Sequence, residues 1–252
     1  PLAAFSNQQI DSLRLNAEIL YNKGIFLGKA GKPDSALHYT LQAVEIFETI
    51  HPVDSIQLAH AYQSLGIIQK LLGKYSEAIK WYNKSEDIYK RKKDENMLAN
   101  IYINKANIFS TQQDFDKALE FNFISRNIFL KDSVQFREKL AIICNNIGIT
   151  YNRKNDILNA IKYLNKSLAL NKKDAKDHTT KGNLARCYEK TGNLNKAKEL
   201  YLLSISDAEY LYGDYNINAA LHYINYGNFL YNFYKLEDSA LFYLNKAKES
   251  YT

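Results

Sequence analysis

Proline is nearly absent. The 252 residues hold 3, all at or before Pro52, so the last 200 residues hold none. Proline stops helices and marks turns, so this scarcity favours long helices over a loop-rich sandwich. Two cysteines are too few for a disulfide framework or a cysteine-built metal centre. No apolar run approaches the roughly 18–20 residues needed to span a bilayer. The 10 glycines include no phosphate-cradling loop. Arginine is scarce too: most of the 33 basic residues are lysines, interspersed with 27 acids, and the net charge is +6. A nucleic-acid surface would concentrate arginines in a basic stripe, so no direct nucleic-acid binding is expected. The densest cluster, Lys90-Arg91-Lys92-Lys93, reads as a solvated helix end or connector. With 46% hydrophobic residues the chain is no disordered tail, and it can bury a core in one or two domains. It opens on Pro1 rather than Met, which raises the expectation of an excised piece whose signal peptide or membrane anchor lies outside it.

Internal repetition is what the sequence has in quantity. A small residue recurs at Gly24, Gly66, Ala106, Gly148, Ala185 and Gly227. An alanine is expected twelve residues after each, at Ala36, Ala78, Ala118, Ala160, Ala197 and Ala240, with spacings of 42, 40, 42, 37 and 43. Seven residues later stands a third small column, Ala43, Ser85, Ser125, Ser167, Ser204 and Ala247. Three residues after the alanine comes an aromatic or leucine: Tyr39, Trp81, Phe121, Tyr163, Leu200 and Tyr243. The physical reading is one helix hairpin used six times, with small residues where two helices approach closely and large ones between hairpins. Turn segments such as Leu72-Gly73-Lys74, Lys154-Asn155-Asp156 and Thr191-Gly192-Asn193 separate the helices, and Asp114, Asp156 and Asn193 are N-cap candidates. One hairpin cannot bury its apolar face alone, so stacking makes the core continuous.

These residues resemble the tetratricopeptide repeat family. The best match runs through Ala59-His60-Ala61-Tyr62-Gln63-Ser64-Leu65-Gly66 and on to Gly73-Lys74-Tyr75-Ser76-Glu77-Ala78. The fifth and sixth repeats match through Gly192-Asn193-Leu194, Ala197 and Tyr201, and through Asn225-Tyr226-Gly227 and Tyr243. The resemblance implies an all-α, right-handed superhelical solenoid of about six hairpins. One domain over 1–252 is expected, with repeats near 13–50, 55–92, 95–131, 137–173, 174–210 and 216–250. The family period is 34 residues; the longer period here places extra residues in 87–98, 128–140 and 206–219. Extended repeats of this kind are similar to those of kinesin light chains, with His51-Pro52 and Tyr212-Gly213-Asp214 fitting that flavour. They also resemble the sensor regions of Bacteroidetes-like bacterial signal transducers, which would place the chain in a bacterial cytoplasm or periplasm.

In that family the first helix of each hairpin lines the concave groove. Counting the small column as position eight, position six holds Asn22, Ser64, Asn104, Asn146, Asn183 and Asn225. An asparagine offers one donor group and one acceptor, matching a peptide unit, so the column could hold an extended peptide by its backbone; related repeat proteins carry such a ladder. Packing against the next hairpin is the other use for it. Asn107, Arg186 and Asn228 at position nine, with Arg153 and Lys190 further along, would tune selectivity, the three cations toward carboxylates. The clamp for a C-terminal carboxylate needs basic residues where this chain has Glu18, Tyr21, His60, Gln63, Asn100, Ile103 and Asn104, so it is absent.

The expected function is a protein-interaction scaffold binding a protein or extended peptide. The alternative is a ligand-sensing input domain of a larger transducer or transcriptional regulator, with a C-terminal effector outside this chain. An accessory subunit of a secretion or protease system is a further reading. The sixth hairpin lacks a clear polar cap, with Leu241, Phe242, Leu244 and Ala247 near its end, so continuation of the chain is expected ahead of an end-to-end homodimer or a tolerated open end. A repeat-fold enzyme is the least favoured alternative. His38, His51, His60, His178 and His222 show no metal-binding spacing, and His38 and His222 read as structural or solvent-facing. Cys144 and Cys187 read as small hydrophobes. Asp156, Glu189, Asp207 and Glu209 form no recognisable acid–base set. No catalytic residue, metal or cofactor is expected.

Overall fold

The computed structural model describes residues 6–50, 55–171 and 177–251, and it is all-α. The His51–Pro52 pair lies outside the described residues, as do the last residues of the 137–173 repeat and the first of the 174–210 repeat. By internal packing the chain divides into two compact units, Pro1–Ile128 and Phe129–Thr252. The first holds hairpins α1 (Asn7–Lys29)/α2 (Pro33–Ile50), α3 (Ile56–Leu71)/α4 (Tyr75–Lys92) and α5 (Glu95–Thr111)/α6 (Phe115–Phe129). The second holds α7 (Arg137–Arg153)/α8 (Ile157–Leu170), α9 (His178–Lys190)/α10 (Leu194–Tyr212) and α11 (Ile217–Phe229)/α12 (Glu237–Glu249). Within each unit every first helix also packs on the next first helix, α1 on α3 and α3 on α5, then α7 on α9 and α9 on α11. The extra residues of each period mostly lengthen the second helices: α4 runs to Lys92 and α10 to Tyr212.

Local chemistry accounts for the hairpins. Asp156 and Asn193 cap α8 and α10 by accepting from the backbone N–H groups of Asn159 (3.2 Å) and Lys196 (3.3 Å), and Asp114 accepts from Lys117 N–H at 3.3 Å. Ser6, Ser55, Asp94, Asp177 and Asn216 cap further helices. Between the two helices of each hairpin one residue turns left-handed: Gly31, Gly73, Gln113, Asn155, Gly192 and Lys235, with φ from 55° to 75°. These positions carry the same spacings as the alanine column. The sixth hairpin breaks the expected interval of twelve: Gly227 and Ala240 are thirteen apart. Its additional residue is absorbed in a π-helical turn, Leu230–Tyr234, the local form that takes up one extra residue without ending the helix.

The small columns are contact points. A β-carbon on Gly66 would fall 2.3 Å from the Tyr82 ring, and one on Gly148 would fall 2.6 Å from Leu164. The residue four after the alanine thus sits directly on the small position. The serines of the third column clasp the second to fifth hairpins shut. Ser85, Ser125, Ser167 and Ser204 donate to the carbonyls of Ala59, Ala99, Ala141 and His178, each 26 residues earlier, at 2.8–2.9 Å. The aromatic column stacks within hairpins, Trp81 on Tyr62, Phe121 on Tyr102 and Tyr163 on Tyr151.

Acid–tyrosine–lysine sets join successive hairpins. Glu209 on α10 accepts from Tyr223 of α11 (2.8 Å) and from Lys246 of α12 (2.6 Å). Glu86 on α4 accepts from Tyr102 and Lys105 of α5 and pairs with Lys90. Burial alone would raise the Glu86 carboxyl, but the hydrogen bonds from Lys105 and Lys90 outweigh it and hold the group below the usual carboxylate range. At the entry to α7, Arg137 donates to the carbonyls of Ala169, Leu170 and Asn171 where α8 ends. A cation there meets the negative end of the helix and its orphan carbonyls. Arg137→Ala should cost about 1 kcal/mol of unfolding free energy by urea titration, with Arg137→Lys recovering only part of it.

Candidate peptide-binding face

Every residue of the position-six column stands on a first helix. In the first unit Asn22 is exposed on α1 and Asn104 is half-buried on α5, while Ser64 on α3 is buried and lies 3.1 Å from the Tyr21 hydroxyl. In the second unit Asn146, Asn183 and Asn225 are half-buried on α7, α9 and α11. The column divides by use. The Asn183 amide donates to Asn145 Oδ1 at 3.1 Å, a bond between neighbouring first helices. The side chains of Asn22, Asn104, Asn146 and Asn225 have no hydrogen-bond partner among the described residues.

The flanking positions divide too. Lys190 gives its ammonium to the Asn152 side chain (2.8 Å) and carbonyl (3.2 Å) at the end of α7. Arg153 and Arg186 are exposed on α7 and α9; Asn107 is half-buried on α5 and Asn228 exposed on α11. Sequence reasoning missed an apolar trough between α1 and α3, of about 320 Å³ and lined by Ile25, Gly28, Lys29, Ile67, Ile68 and Leu71 among others. Its available signal was Gly28, a helical glycine outside the small column.

Residues read as chemically inert are mostly tied into the fold. Cys144 and Cys187 are buried, and burial pushes the Cys187 thiol up to about 11, which keeps it protonated and unreactive. Asp156 caps α8, Glu189 accepts from the Tyr201 hydroxyl, Asp207 pairs with Lys181, and Glu209 joins two hairpins.

His222 and His178 form a contact that their separation of 44 residues hid. Ser204 Oγ donates to the His178 carbonyl and lies 2.6 Å from His222 Nδ1, while His222 Nε2 lies 2.7 Å from His178 Nδ1. The donor directions follow by elimination. Ser204 has spent its proton, so it accepts from His222 Nδ1–H; His222 Nε2 then accepts from His178 Nδ1–H. A serine beside two imidazoles resembles a nucleophile relay. Yet Ser204 is fully buried, with its proton held by a carbonyl, so no substrate reaches it in this conformation. Among the described residues no three His, Cys, Asp or Glu side chains gather to hold a metal, and no helix is long and apolar enough to cross a membrane.

Comparison with known proteins places this architecture. Tetratricopeptide repeat family models match residues 15–91, 141–174 and 179–206, together more than half of the chain. A TPR repeat-containing protein of Methanocaldococcus jannaschii is 28% identical over 241 residues, covering 92% of this chain; the chain spans only 38% of that relative's length. Among solved structures, the Rap conjugation gene regulator of plasmid pLS20, in complex with the Phr* peptide, superposes with a TM-score of 0.73 at 16% identity, over 98% of this chain and 67% of that one. A Rap protein complexed with competence and sporulation factor gives 0.72 at 17% identity, over 92% and 63%. Matched family models, repeated hairpins and shared fold lead to one conclusion: the chain belongs to the tetratricopeptide repeat family.

Proposed function

We propose that this repeat protein is a protein-interaction scaffold that holds an extended peptide along its first helices. The observation that carries the reading is the set of four asparagine amides, at Asn22, Asn104, Asn146 and Asn225, left without a partner among the described residues. An asparagine kept for packing bonds its neighbour, as Asn183 does. Amides left open on alternate first helices, α1 and α5 in one unit and α7 and α11 in the other, can instead pair with separated peptide units of an extended segment, recognising a backbone rather than a sequence. The Rap regulator bound to the Phr* peptide supplies a peptide-binding precedent on the same fold.

Asn146→Ala combined with Asn225→Ala should weaken binding of a peptide selected on the wild-type chain at least tenfold, since each lost amide contact is worth about 1 kcal/mol. The melting temperature should hardly move, because neither side chain bonds the fold. Asn183→Ala should do the reverse, lowering stability before affinity. Equal peptide affinity in the folded double variant would remove the asparagines from the binding surface. A ligand-sensing input domain of a bacterial signal transducer is the second reading. It shares this groove and adds an output, and the likeness to a gene regulator favours it.

A further inference from the structure

The trough between α1 and α3 has features that packing does not require. Gly28 lies in the last turn of α1, yet a β-carbon there would meet only Ala36 Cβ, at an ordinary 3.7 Å. Gly24, one turn earlier, is different: its β-carbon would fall 2.3 Å from Thr40 Oγ1. Helix packing therefore explains Gly24 and not Gly28, which costs helix stability relative to alanine. Gly28 is one of the residues that line the trough.

Its wall is apolar and open: Leu71 is 60% exposed and Ile67 36% exposed. Ser64, the single non-asparagine of the position-six column, also lines it. The backbone-pairing amides thus give way to an apolar depression at this hairpin. Lys29 is the only charged residue of the lining, and neither it nor Lys70, beside Leu71 on α3, has a carboxylate partner among the described residues. Lys29 is exposed, so an incoming carboxylate can reach it directly from solvent.

We propose that this trough is the anchor subsite of the peptide groove, taking a large aliphatic or aromatic side chain with a carboxylate next to it in the peptide. The inference rests on the peptide-binding reading and specifies what one part of that groove selects. The apolar side chain fills the space above Gly28, between Ile25 and Ile67, and the carboxylate faces Lys29.

The test is selection from an arrayed decapeptide library on the full chain and on Gly28→Met, Gly28→Ala and Lys29→Glu, with melting temperatures alongside. The wild type should enrich peptides with Leu, Ile, Met or Phe adjacent to Asp or Glu. Gly28→Met, which fills the trough, should weaken that class at least tenfold. Gly28→Ala should weaken it less while raising the melting temperature, a combination a purely structural glycine would not give. Lys29→Glu should shift the neighbouring preference toward Lys or Arg. Enrichment without the apolar–acidic pairing, or binding undiminished in folded Gly28→Met, would overturn the subsite and leave the groove reading standing. If the wild type enriches no peptide, both fall.

Discussion

Gly66→Ala is expected to cost the first unit about 3 kcal/mol of stability, at the upper end of what overpacking a core does. The new methyl group would lie 2.3 Å from Tyr82 Cε1, 2.5 Å from Cδ1 and 2.8 Å from Cζ. Tyr82 is fully buried, so its ring has no solvent to swing into. Alanine gains about 1 kcal/mol of helix propensity over glycine, too little to offset such a clash. Urea unfolding followed by circular dichroism measures the difference, and Gly28→Ala is the control: the same chemical change on a helix with room, predicted neutral or stabilising. A loss under 1 kcal/mol at Gly66 would mean that the two helices slide apart cheaply and that the small column is not a packing constraint.

Acid should weaken the second unit through His222. Burial, and then the facing His178 ring, push its imidazole down to about 4 from an ordinary 6.5. His178 is lowered as well, first by burial, with Asp177 and Asp207 partly opposing. The groups around the pair are those two acids, Lys181 on Asp207, and the Tyr212 hydroxyl 3.5 Å from His178 Nε2. Because the folded pKa lies below the unfolded one, the unfolded chain binds more protons between them. The contribution is therefore complete above pH 6.5 and is lost as pH falls toward 4. It amounts to about 3 kcal/mol, from 1.36 kcal/mol per pKa unit. The directional bonds give the physical reason: a proton on His222 Nε2 would face the Nδ1–H of His178. An NMR titration should find the His222 ring neutral to near pH 4, and His222→Gln should flatten the pH dependence of unfolding. A His222 midpoint near 6.5 would contradict this account.

The hairpins were legible because their determinants are local. Asp156 and Asn193 cap helices within three residues, Gly73 and Gly192 mark left-handed turns, and the alanine column sets the period. The expected interval of twelve failed at Gly227–Ala240, since a π turn adds a residue without leaving any turn signature in composition. Pairs between hairpins were hidden for a related reason. Glu48 meets Tyr62, Glu86 meets Tyr102 and Glu209 meets Tyr223 at separations of 14 or 16 residues, which depend on connector length. The asparagine column could be read from spacing, but not which members bond internally; that depends on Asn145 reaching Asn183 and Tyr21 reaching Ser64. The trough was invisible because its walls, Ile25 to Lys29 and Ile67 to Leu71, come from two helices distant in sequence.

The serine clasps bear on how the chain acquires its shape. Each closes a loop of 26 residues, and the helices on either side are neighbours in sequence. Contacts of such short range demand little loop-closure entropy and correlate with rapid folding. A hairpin leaving the ribosome already contains the hydroxyl and the carbonyl that lock it. Structure can therefore begin at any of several places and spread to adjoining hairpins, with no distant segment to wait for.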